Sequence, residues 1–172
     1  IFTRRQSADV PDAVEYTPRA RVVHIDTGPR RHVDKYDVLD YLPDFACGVQ
    51  RFRALTGVSY DLIHSHYWLS GEAALALRRS WGVPVIHMFH TLGAMKNQVA
   101  RGAEERETNR RIASERSLFE SADAIIAATP LDRAQMVWHY GAEAERVRVV
   151  PCGVDLRRFQ PRDMADARAA LD

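Results

Sequence analysis

Ala124-Ile125-Ile126-Ala127-Ala128-Thr129-Pro130-Leu131-Asp132 holds the two halves of one structural unit. The first half is a short apolar run with two β-branched residues, the pattern of a buried strand. The second half is a helix start: Thr129 as N-cap, Pro130 at the first helical position and Asp132 in the first turn. A strand that feeds directly into a capped helix belongs to a parallel sheet, whose strands must be joined by crossovers. Gly141 closes the helix, and Arg146–Pro151 (RVRVVP) reads as the next strand.

The same alternation extends upstream. Arg21–Asp26 (RVVHID), Asp61–His66 (DLIHSH) and Val83–His90 (VPVIHMFH) read as strands. Between them Leu39, Leu42, Phe45, Val49 and Phe52 form one helical stripe. Leu69, Ala73, Leu77 and Trp81 form another, with Gly82 placed as its C-terminal cap. Ile112 and Phe119 mark a helix ending near Ala122. The expected fold class is α/β: a Rossmann-like parallel sheet flanked by helices. Two segments, Thr27–Asp37 and Leu92–Thr108, read as long loops at the carboxyl ends of strands, where open α/β sheets bind ligands.

Composition excludes several function classes. With 24 Lys plus Arg against 23 Asp plus Glu, no bulk field points to nucleic acid or a membrane surface. No apolar run approaches the roughly 18–20 residues needed to span a bilayer. Cys47 and Cys152 lie far apart and match no disulfide framework or metal motif, so a cytoplasmic location is expected. Lys35 and Lys96 are the only lysines in an arginine-rich chain, and both fall in the two long loops.

Three constellations could carry chemistry, each with an alternative. His64-Ser65-His66-Tyr67-Trp68-Leu69-Ser70-Gly71 ends a strand and opens a helix; it is either an anion site or a packed turn. His87 and His90, with Thr91, close the next strand. Together with His64 and His66 they invite a zinc hydrolase reading, but no spacing matches a metal signature, and no metal is expected. Arg111 and Glu115 stand at i, i+4. They are either an exposed helix pair worth a few tenths of a kcal/mol or a phosphate clamp oriented by Glu115; spacing alone favours the exposed pair.

Read in order, HSHYWLSG, HMFHTLGAMKN, RRIASE, ADAIIAATP and RVRVVPCGVDLRRF resemble glycosyltransferase family 4, over the whole chain. The likeness is to its members that glycosylate small sugar or inositol phosphates. It implies the N-terminal, acceptor-side domain of a GT-B fold, in which two Rossmann-like domains enclose the active site. The implied activity is retaining transfer from a nucleotide-sugar, expected to be UDP-linked, without cofactor or metal. The resemblance places His90 near the donor sugar. It places Lys35, Tyr67, Thr91 and Arg110 or Arg111 around the acceptor phosphate. Lys96 is given a supporting role there, and Glu115 orients Arg111.

The same resemblance sets further expectations. Residues 1–155 form a partial N-terminal domain, and 156–172 are an interdomain linker with the start of a donor-binding domain, including a short helical stub over 163–172. The first strand and glycine-rich loop of relatives, and their second domain, are not matched. The isolated chain is therefore expected to be inactive. The alternative is a non-catalytic binding or assembly module completed by partner chains. The unmatched first strand would lie beside Asp61–His66. Its slot is expected to be filled by Ile1–Arg4, by Val22–Ile25, by a second copy or by a complementing chain, with association favoured.

Overall fold

Residues 1–170 are described by the computed structural model. The C-terminal sheet follows the expected alternation. β4 (Ile63–His66), β5 (Val85–Met88), β6 (Ala124–Ala127) and β7 (Val147–Val149) pair in that order, all parallel. Helix α2 (Tyr67–Trp81) follows β4 without a loop, and Gly82 closes it in the left-handed conformation, φ 67°. Helices α3 (Gly93–Val99) and α4 (Asn109–Ser121) lie between β5 and β6. Helix α5 (Pro130–Tyr140) joins β6 to β7, and Thr129 and Asp132 form a reciprocal capping box at its start.

The N-terminal strands depart from the single parallel sheet expected. β1 (Phe2–Arg4), β2 (Ala13–Thr17) and β3 (Ala20–Ile25) form a separate three-stranded sheet, ordered β1-β3-β2, with β2 antiparallel. Every residue of β2 is exposed and β1 has three residues, so neither carries the periodicity that reveals a strand. Among the described residues β4 pairs only with β5, so neither the Phe2–Arg4 nor the Ala20–Ile25 strand fills the place beside it.

Leu92–Thr108 is likewise not one loop. It contains α3 and a 3₁₀ turn at Ala103–Glu105. The expected stripe from Leu39 to Phe52 divides into a 3₁₀ turn, Asp37–Tyr41, and α1 (Leu42–Thr56). After β7 the chain is exposed through 160, and the short α6 (Met164–Ala169) has no buried residue. The end of the expected stub, 171–172, lies outside the described residues.

Two cores hold these layers. The larger joins α2, β5, α4, β6 and α5 through Trp68, Phe89, Leu118, Phe119, Ile125 and Met136. Burying a side chain of this size contributes about 1.5–3 kcal/mol each. The smaller core joins β3 to α1 and α2 through Val23, Ile25, Val49 and Leu77. Phe119 stacks on Phe89 at 4.4 Å and meets Tyr140 at 4.9 Å, carrying the larger core up to the carboxyl edge of the sheet.

Candidate active site at the carboxyl edge

The chain turns sharply where β4 and β5 end. Tyr67 has φ 70° and His90 has φ 61°, the only non-glycine residues with positive φ among the described residues. Holding an L-residue there costs about 1–2 kcal/mol, and such strain gathers at functional sites. At the first turn Ser70 accepts from the His66 backbone N–H at 2.9 Å, and its hydroxyl donates back to the His66 carbonyl. The second turn brings His90 across to β4.

His66 Nδ1 and His90 Nε2 are 2.8 Å apart, with their rings stacked at 5.0 Å. One nitrogen must be bare for the other to donate, so the pair cannot carry two full positive charges in this arrangement. His64 lies against His66 at 4.2 Å. Burial, then the neighbouring His64 and His90, lower the His66 pKa from its ordinary value. His87 is fully enclosed beneath this row and contacts Ser65 Oγ at 2.7 Å. Burial first, then His66, His64 and His90, push its pKa down to about 3, so it is a neutral core residue. Among the described residues no group of three or more His, Cys, Asp and Glu is arranged to hold a metal ion.

Behind Thr91 lies a lattice of charges centred on Arg111. Its guanidinium is fully buried, where an exposed helix pair was expected from spacing. Nε donates to Glu115 at 2.7 Å. Nη1 meets Glu107 at 2.8 Å and Tyr67 Oη at 3.3 Å. Nη2 donates to the Thr91 carbonyl at 3.0 Å and to Thr91 Oγ1 at 3.1 Å. Each polar direction of the fork is thus taken up within the chain. The guanidinium also stands 5.1 Å from the centre of the Tyr67 ring. Burial opposes its charge, but the Glu115 hydrogen bond and surrounding negative groups outweigh burial and raise its pKa.

Glu115 accepts from the Gly93 backbone N–H at 2.9 Å and from the Tyr140 hydroxyl. This explains the glycine at the start of α3. A Cβ on Gly93 would stand 2.7 Å from Ile112 Cδ1 and 3.1 Å from Glu115 Oε2. The Tyr140 hydroxyl also accepts from the Ala94 N–H at 2.9 Å, so α3, α4 and α5 are tied at one point.

Glu107 is the second carboxylate of the lattice. Lys35 approaches both its oxygens at 2.8 Å, Lys96 donates at 2.6 Å, and the Tyr36 hydroxyl donates as well. Burial works against its charge, but these hydrogen bonds and the Arg111 charge hold its carboxyl well below the usual range. Lys35 is raised in turn, because its bond to Glu107 outweighs its own desolvation.

The structure thus gathers Lys35, Tyr67, Thr91, Lys96, Arg111 and Glu115 in one network, with His90 next to Thr91 in the chain. Arg110 is exposed and makes no hydrogen bond or ion pair with this network among the described residues. Glu107, Tyr36 and Tyr140 were missed in the sequence. The signal for Glu107 was available: Glu107, Arg111 and Glu115 alternate in sign at i, i+4, i+8. Beside the network, a cleft of about 540 Å³ is lined by His90, Thr91, Lys96, Met88, Met136 and Cys152.

A parallel sheet with its charged cluster at the carboxyl edge matches the N-terminal half of a GT-B glycosyltransferase. Sucrose-phosphate synthase from Thermosynechococcus elongatus superposes with TM-score 0.85 and 33% identity, over 99% of this chain and 41% of that one. D-inositol 3-phosphate glycosyltransferase of Saccharomonospora viridis is 41% identical over 99% of this chain and 40% of its own length. The enzyme of that name from Nocardiopsis dassonvillei is 38% identical, with the same coverages. The family profile described as Glycosyltransferase Family 4 matches residues 1–158, and the chain belongs to that family. It spans about 40% of the length of these relatives.

Proposed function

We propose that this chain is the acceptor side of a retaining hexosyltransferase that moves a sugar from a UDP-linked nucleotide-sugar to a small phosphorylated sugar or inositol. One observation carries the reading: Lys35 and Lys96 reach the surface beside Thr91 and Tyr67, next to the strained His90 turn. Phosphate monoesters are bound by charge-assisted donors of this kind. The relatives named for inositol 3-phosphate and sucrose phosphate handle such groups. Lys35, Lys96, Thr91 and Tyr67 take the phosphate, and His90 faces the donor sugar. Arg111 stands behind them as a positioning residue, with Glu115 orienting it. Exposed Arg110 contributes long-range attraction.

Residues 1–155 act as the acceptor domain and 156–172 lead toward the donor-binding part, so the 172 residues alone should transfer no sugar. A cytoplasmic location goes with the two exposed free cysteines. The single-sided pairing of β4 favours self-association or a complementing chain, which light scattering of the purified chain would reveal as a mass above the monomer.

The test of the acceptor reading is titration of the chain with an inositol phosphate. Removing one charge-assisted bond to phosphate costs about 1.5–3 kcal/mol, so Lys35→Ala should weaken binding roughly tenfold or more. Equal affinity in the variant removes Lys35 from the site.

A further inference from the structure

Glu107 presents a conflict. A carboxylate stands among the cations that the proposed function assigns to a phosphate, and like charges repel. It is either a competitor that phosphate must displace or a fixed part of the site. The geometry decides between them. The Glu107 side chain is 3% exposed. Asn97 clamps its backbone from both sides, accepting from the Glu107 N–H at 2.7 Å and donating to its carbonyl at 3.3 Å. The next residue, Thr108, caps α4 by accepting from the Arg111 N–H. A side chain enclosed and held at both backbone groups has no open route to swing aside.

The lysines are the movable parties. Their ammonium groups sit on flexible four-carbon stems, and the Lys35 and Lys96 side chains remain 34% and 48% exposed. Each has three N–H donors. Lys96 spends one on Glu107 and keeps two; Lys35, aimed at both oxygens, keeps at least one. Without an anchor, each stem would have to be ordered when the ligand arrives, at the expense of affinity.

We infer that Glu107 is a positioning residue that holds the Lys35 and Lys96 ammonium groups in place for a phosphate monoester, and that it stays seated when the phosphate binds. This rests on the acceptor-phosphate reading above and adds to it the residue that assembles the site. Three cations against Glu107 and Glu115 leave the cluster one positive charge in excess, so it still attracts an anion.

The two roles for Glu107 predict opposite signs. Inorganic phosphate and an inositol phosphate are titrated into the parent chain, Glu107→Gln and Asn97→Ala, with far-ultraviolet circular dichroism confirming that each is folded. A positioning role makes Glu107→Gln bind phosphate about tenfold more weakly, although the variant has gained positive charge. Asn97→Ala, which keeps every charge and frees the Glu107 backbone, weakens binding in the same direction. Equal or tighter binding by folded Glu107→Gln, or unchanged binding by Asn97→Ala, overturns the inference. A purely structural residue would lower the melting temperature and leave the affinity of the folded protein unchanged. Side-chain nitrogen NMR of the two lysines supplies an arm that needs no ligand. Their ammonium signals are slow to exchange in the parent and broaden in Glu107→Gln; unchanged signals also overturn the inference. No phosphate binding by the parent chain overturns the acceptor reading itself, and the lysine signals then still decide whether Glu107 places the ammonium groups.

Discussion

Arg111 reaches Thr91 from α4, and His90 adjoins Thr91 in the chain, yet the regions around them are built on opposite terms. Arg111 is enclosed, its donors are all matched, and its charge is balanced by Glu107 and Glu115. The histidine row is exposed, stands on a left-handed turn, and shares one hydrogen between His66 and His90. In the lattice, opposite charges and hydrogen bonds lower the Glu107 pKa and raise those of Lys35 and Arg111. In the row, partial burial and then the neighbouring His64 and His90 lower the His66 pKa, so its protonation is disfavoured there. Matched charge and backbone strain thus stand on either side of Thr91.

Breaking the lattice should have the largest effect. Arg111→Met leaves buried Glu115 without its cation and takes one of three cations from Glu107; removing one side of a buried pair costs about 3–5 kcal/mol. Urea unfolding at neutral pH measures it. A loss below about 1 kcal/mol would show that the enclosure is looser than the hydrogen bonds imply.

Acid separates the two regions next. A histidine whose folded pKa is depressed binds more protons when unfolded, so its contribution is full above its ordinary pKa and shrinks as pH falls. For His87, with a folded value of about 3, that loss amounts to about 2 kcal/mol from about pH 7 to about pH 5. Glu107 is also depressed, but from the carboxylate range, so its contribution begins to fall only below about 4.5. The parent should therefore lose stability through the histidine window, and His87→Gln should flatten that slope. An equal slope in both proteins would mean His87 is not the proton acceptor.

The smallest effect sharpens the strain on the row. At an ordinary position glycine is less stable than alanine, but at φ 61° the Cβ is the liability. His90→Gly should be more stable than His90→Ala by about 1 kcal/mol. The reverse order in thermal unfolding would place residue 90 in ordinary backbone.

How far the sequence foretold these regions follows from what each depends on. β4 through β7 and helices α2, α4 and α5 were legible because apolar runs and local caps such as Thr129, Gly82 and Gly141 act within a few residues. β1 and β2 were not, since β2 is exposed at every position and its partner is fixed only by pairing with β3. The resemblance named Lys35, Tyr67, Thr91 and Arg111. Spacing alone would have left Arg111 on the surface, because its burial depends on α3 packing over it at Gly93. Apart from Arg111 at i+4, the partners of Glu107 are scattered along the chain or lie in α3, which was read as loop, so the local alternation of charge was its one visible sign.

That scatter has a consequence for how the molecule comes into being. Lys35 and Glu107 are separated by 72 positions, and Gly93 and Glu115 by 22. Contacts so distant along the chain close only after the intervening strands and helices have met, because the entropy of closing a long loop must be offset first. The lattice should therefore be among the last parts to form during folding. Until then its carboxylates and cations remain hydrated and mobile, and a newly made chain carries every residue of the lattice without yet having the lattice.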